Sequence, residues 1–220
     1  MGWKAACIVA SQRDNPRLED CPPHDREFAR RIAAALPVGN VAPIRTTSFD
    51  EGIYPKQLTI GAYAGSLIIG DEHLCESCLT GKVPPVIQAI NQLLPGATCL
   101  AMGLHSVVNY YGYALFQGTT LLRVRAGSAD DGVIVDQGAW LPEEQQLFAK
   151  SIVRDGERFF LQEIDGTVEE FDHSAYGEEF VFDLSRRFFG KRIDQMDTWE
   201  IEMESFAAAP KPLWKRLFGK

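Results

Sequence analysis

The chain has 220 residues, 45% apolar and 24% charged, which are the proportions of an ordinary globular protein and exclude wholesale disorder. Its 30 acidic and 22 basic residues give a formal net charge of -8, and no basic stripe is present to attract nucleic acid phosphates. No run approaches the ~18 apolar residues of a membrane-spanning helix. Five cysteines without regular spacing suit a reducing compartment, so a cytoplasmic protein is expected.

Residues 4–11 are rich in Ala, Ile and Val and read as a buried first strand. A polar loop closed by Pro22-Pro23 leads to a helix over 24–36, where Phe28, Ile32 and Leu36 recur four apart. Residues 41–46 and 57–63 read as strands, and 66–69 as a short apolar run ending at Gly70. Val86, Ile87, Ile90, Leu93 and Leu94 have helical spacing, and Pro95-Gly96 stops that helix.

From residue 97 to 136 the signal changes to short strands parted by turn residues. Residues 97–104, 107–117, 120–125 and 132–136 predict an antiparallel meander. Gly112, set among bulky neighbours in the long strand, predicts a bulge or a close backbone approach. A short helix begins at Leu141-Pro142-Glu143-Glu144, a strand covers 158–164, and a helix with Ser174 at its N-cap covers 174–189. Residues 198–206 alternate acids with Trp199, Ile201 and Met203, as a half-exposed strand does. The expected fold is α+β: a mainly antiparallel sheet, with the meander at its centre, and three to four helices packed on it. One domain over 1–206 is expected, with 207–220 as a tether and a basic, aromatic tail.

The segment Gly103-Leu104-His105-Ser106-Val107-Val108-Asn109, with Leu122-Arg123 and Asp131-Gly132-Val133-Ile134-Val135 after it, resembles an uncharacterised, largely actinobacterial family. Its members open Met-Gly-x-Lys and carry a Gly-Met-His-Ser-Val-Val-Asp segment, an Asp-Gly-Gly-Ile turn and a late Gly-Glu-Glu helix. Here the opening is Met1-Gly2-Trp3-Lys4 and the late helix holds Gly177-Glu178-Glu179. The chain departs from that pattern at Asn109, and Cys75 and Cys78 have no counterpart in it. The resemblance implies a single domain and brings no activity with it.

Three groups of residues could carry chemistry. In His73-Leu74-Cys75-Glu76-Ser77-Cys78, two thiolates and an imidazole could hold Zn²⁺, or the two thiols could act as a redox dithiol, but incidental cysteines are the leading reading. The redox reading needs a helix to lower the Cys75 pKa, and residues 79–85, with Gly81, Pro84 and Pro85, would break one that followed. Around His105 and Ser106, a polar ligand pocket could gather Asn109, Arg123, Asp131 and Asp136 from neighbouring strands, although adjacent strand residues point apart and no nucleophile elbow is present. In the tail, Trp214, Lys215, Arg216 and Phe218 could rest on an anionic membrane surface or fold back on the domain. Adjacent carboxylates such as Glu143-Glu144 read as solvated helix surface.

These features suit three functions. A non-catalytic protein-binding or regulatory domain fits the acidic balance and implies a basic protein partner. A metal or thiol protein, with zinc as the only candidate cofactor, fits Cys75 and Cys78. A small-molecule enzyme would use the pocket around His105.

Overall fold

The computed structural model describes residues 2–14, 16–197 and 199–208. Its strands are β1 (Lys4–Ser11), β2 (Val41–Ser48), β3 (Thr59–Tyr63), β4 (Ser66–Gly70), β5 (Thr98–His105), β6 (Tyr110–Gln117), β7 (Thr120–Ser128), β8 (Gly132–Gly138), β9 (Ser151–Arg154), β10 (Glu157–Ile164), β11 (Thr167–Phe171) and β12 (Glu202–Ala208). The α-helices are α1 (Arg26–Ala35), α2 (Phe49–Gly52), α3 (Glu72–Cys78), α4 (Pro85–Leu93), α5 (Pro142–Phe148) and α6 (Gly177–Phe189).

Nine strands form one antiparallel sheet in the order β2-β12-β3-β4-β1-β5-β6-β7-β8. The other three form a small antiparallel sheet in the order β11-β10-β9. β1 is buried along nearly its whole length because the large sheet is covered on both faces. Cys7, Val9, Leu100, Met102, Leu104, Tyr111, Tyr113 and Leu115 face one layer, which contains α6 and side chains from α5 and the small sheet. Ala6, Ile8, Ala10, Cys99, Ala101, Ala114 and Phe116 face the other, built from α1, α3 and α4. Period-two alternation therefore sorts one set of strands into two apolar cores. At α1 the Asp25 carboxylate accepts the Phe28 N–H at 2.9 Å, which caps the helix where its apolar stripe begins.

The expected meander is present as β5 to β8, and the fold is α+β with a mainly antiparallel sheet. The meander forms one end of that sheet, with β8 at its edge, and not its centre, because β4, β3, β12 and β2 extend the sheet beyond β1. The helices number six among the described residues, because α2 and α3 add to the three to four expected. Residues 106–108 form a 3-10 turn and Asn109 takes a left-handed φ of 47°, so the long strand begins at Tyr110 and not at 107. The helix expected from Ser174 starts at Gly177, and the Asp172 carboxylate accepts the Ser174 and Ala175 N–H groups just before it. The last strand runs to Ala208, so residues 207 and 208 belong to the sheet and not to a tether. Trp214, Lys215, Arg216 and Phe218 lie outside the described residues, and so does the expected membrane contact.

Candidate functional site

A cavity of about 390 Å³ opens on the α3 side of the large sheet, at the end where β5 gives way to the 3-10 turn. Gly103 on β5 lines its floor, paired across the strands with Gly112 on β6 beside it. A Cβ on Gly112 would stand 2.8 Å from Leu79 Cδ1 and 3.1 Å from the Tyr110 hydroxyl, so a side chain there would push both tips away from the sheet. This is the close approach that Gly112 predicted.

The wall carries His105, Tyr54, Tyr110, Cys75, Leu79, Val108 and Ser128. The His105 and Tyr54 rings meet edge to face at 6.1 Å, and Lys4 Nζ lies 5.6 Å from the Tyr54 centroid. His105 Nδ1 is buried with no hydrogen-bond partner among the described residues. Four carboxylates complete the lining: Glu72 and Glu76 from α3, Asp130 and Asp131 from the turn between β7 and β8. None of the four pairs with an arginine or lysine among the described residues. Asp131 accepts the Ser128 hydroxyl at 2.9 Å, and Glu76 lies 3.8 Å from His73 Nδ1.

Of the expected pocket, His105 and Asp131 share this cavity. Ser106 and Asn109 sit at the corner beside it without lining it; the Ser106 N–H donates to the Trp3 carbonyl at 3.0 Å. The sheet separates Arg123 and Asp136 from His105, because Arg123 pairs with Leu115 and so projects from the opposite face. There Arg123 is fully buried, with Nε 2.9 Å from both Glu144 carboxylate oxygens, Nη2 2.7 Å from Oε1 and Nη1 2.6 Å from Asp136. The Tyr113 hydroxyl donates to Glu144 at 2.6 Å, and the Leu141 N–H donates to its other oxygen at 2.8 Å. Glu144 is therefore a buried counterion, which corrects the reading of Glu143-Glu144 as solvated surface.

The cysteine motif lies on α3 itself, so the helix precedes residues 79–85 and contains Cys75 in its second turn. Three residues apart, Cys75 and Cys78 face the sheet, and the Cys75 thiol donates to the Met102 carbonyl at 3.2 Å. Burial pushes the Cys75 thiol up to about 12, with its hydrogen bonds opposing the shift in part, and raises Cys78 as well. His73 points away from both thiols, its side chain 93% exposed. No group of three or more His, Cys, Asp or Glu side chains placed to hold a metal occurs among the described residues.

The sequence reading missed Tyr54, Glu72, Glu76, Tyr110 and Asp130 as wall residues. The Gly103/Gly112 pair was the available signal, since two small residues at matching strand positions mark where something else must fill the space above them. The model of a family of unknown function (DUF6928) matches residues 5–206. No curated protein and no solved structure matches the chain.

Proposed function

The chain belongs to the DUF6928 family of unknown function, and from that premise we propose a non-catalytic binding protein whose cavity at His105 receives a small organic cation. The observation that carries this reading is the wall chemistry: Glu72, Glu76, Asp130 and Asp131 line a cavity that has no lysine or arginine in its lining among the described residues. A cation entering it exchanges water for carboxylates, and the Tyr110 ring in the same wall can add a cation–π contact, Tyr54 being already taken by Lys4. A volume of about 390 Å³ suits a small molecule. Binding is favoured over thiol chemistry because the Cys75 thiol, pushed up to about 12, stays protonated and non-nucleophilic at neutral pH. The acidic rim is also the local form of the acidity that suggested a basic protein partner, so a lysine-rich peptide belongs in the same test.

Calorimetric titration with putrescine, agmatine and choline at low salt, beside uncharged isosteres and a lysine-rich peptide, tests this. The small cations should bind and the neutral isosteres should not. Glu72→Gln with Glu76→Gln, on the exposed side of α3, should weaken binding by about tenfold or more at an unchanged melting temperature. Equal binding of charged and neutral probes, or an unaffected double variant, overturns the proposal. Binding of the peptide alone moves the function to a protein partner.

A further inference from the structure

The carboxylates of the cavity at His105 stand in two pairs on different elements. Glu72 and Glu76 are four apart on α3, on the stripe that also turns Cys75 and Leu79 into the cavity. Asp130 and Asp131 belong to the turn between β7 and β8. α3 packs over β1 and β5, with the Cys75 thiol reaching carbonyls of both strands, whereas β7 is two strands beyond β5. Adjacent strands are ~4.8 Å apart, so a gap on the order of 10 Å separates the two acidic walls. Between them Gly103, Leu79 and Tyr110 carry no charge.

Both walls are held in place. Asp71 caps α3 by accepting the Leu74 N–H at 2.9 Å, and the Cys75 thiol, donating to the Met102 carbonyl at 3.2 Å, ties the second turn of the helix to the sheet. In the turn, the Ser128 hydroxyl donates to Asp131 at 2.9 Å and accepts the Asp131 N–H at 3.0 Å. The Ala129 N–H donates to the Val108 carbonyl at 3.4 Å, which fastens the turn to the corner before β6. No basic side chain neutralises either wall among the described residues; Lys4 lies on the Tyr54 ring, 5.6 Å from its centroid.

A single ammonium group reaches one wall and leaves the like charges of the other unrelieved. A molecule with an ammonium at each end relieves both, and the chain between its ends lies over Tyr110 and Leu79. We infer that the cavity selects linear aliphatic diamines, one ammonium on each wall; this rests on the reading of the cavity as a cation site and adds the two-ended form of its ligand. Fixed walls make the affinity depend on ligand length, because a chain that is too short or too long gives up one of its two charged contacts. Charge-assisted contacts of ~2.8 Å at each end take up about half of the gap. What is left is the span of a chain of about three to five carbons.

Calorimetry of the full chain with butylamine, 1,3-diaminopropane, putrescine, cadaverine and 1,8-diaminooctane tests this. Putrescine should bind about tenfold more tightly than butylamine, or better, and affinity should pass through a maximum before 1,8-diaminooctane. Asp130→Asn combined with Asp131→Asn should bring putrescine down to the level of butylamine, which keeps the α3 wall. The melting temperature should not move, since an asparagine amide oxygen still accepts the Ser128 hydroxyl. Equal binding of butylamine and putrescine overturns the two-ended ligand and leaves the cation site standing, whereas absence of binding by every amine ends both. Affinity that climbs steadily to 1,8-diaminooctane, or a doubly substituted protein that keeps its preference for the diamine, also overturns the inference.

Discussion

At the scale of single residues, Glu143 and Glu144 are neighbours in sequence with opposite situations. Consecutive helical positions diverge by about 100°, so one of two adjacent glutamates can enter the core while the other stays at the surface. Glu144 is 0% exposed and closes on Arg123, Tyr113 and the Leu141 N–H. Glu143 meets Arg187 in a two-pronged pair at 2.7 Å, with side chains 24% and 32% exposed. Removing one partner of a buried pair strands the other, which costs far more than losing a pair that water can replace. Glu144→Gln should therefore destabilise the fold by about 3 kcal/mol, and Glu143→Gln by less than about 1 kcal/mol. Urea unfolding of the two variants checks this, and equal midpoints would show that the Arg123 network does not hold α5 to the sheet. Composition and spacing cannot distinguish the two glutamates. Only the register that brings Arg123 opposite Leu115, on the α5 side, decides between them.

At the scale of elements, legibility followed burial. The meander β5 to β8 was readable because β5 and β6 are buried on both faces and Gly118 and Gly132 mark the turns, even though β8 is largely exposed at the sheet edge. β9 and β11 were not, because Thr167–Phe171 is exposed over most of its length and carries little apolar pattern. α3 escaped notice at seven residues, too short for a helical period to emerge, and its Cys-x-x-Cys drew attention to metal chemistry. In place the motif serves packing: spacing of three puts both thiols on the face that α3 turns to β1 and β5. Four of the five cysteines are buried and only Cys21 is exposed. A disulfide-exchange dye should accordingly label one thiol rapidly in the native protein and all five in urea, and Cys21→Ser should abolish the native reaction. Capture of zinc by Cys75 and Cys78 would require lifting α3 from the sheet, so zinc should leave the labelling unchanged. Two or more fast thiols in the native protein would show that α3 opens readily, and would return the metal and redox readings to consideration.

At the scale of the whole molecule, the acidic balance and the two covered faces meet in the response to pH. His24 and His173 stand on different parts of the fold, and burial lowers the pKa of each below the usual 6.5. His24 Nδ1 accepts the Ala62 N–H at 3.1 Å while its Nε2 is buried without a partner among the described residues, so the neutral ring suits its site. For a base with a depressed folded-state pKa, the unfolded chain takes up protons first as the pH falls. The stability these residues contribute is therefore complete above about pH 6.5 and is lost as the pH drops from there toward the depressed values. Glu178 and Asp183, raised by burial, act in the opposite sense: their contribution is present in acid and fades as the pH rises through their elevated values. Asp172 and Glu143, lowered by their hydrogen bonds against the effect of burial, lose their contribution only in more acidic solution. Melting temperatures followed from pH 7.5 to 5 should fall in the native chain. In a protein carrying His24→Asn and His173→Asn the fall should be shallower, since asparagine can accept the Ala62 N–H without titrating. Parallel curves for the two proteins would place the acid sensitivity in the carboxylates, and would leave the covered faces of the sheet without a role in it.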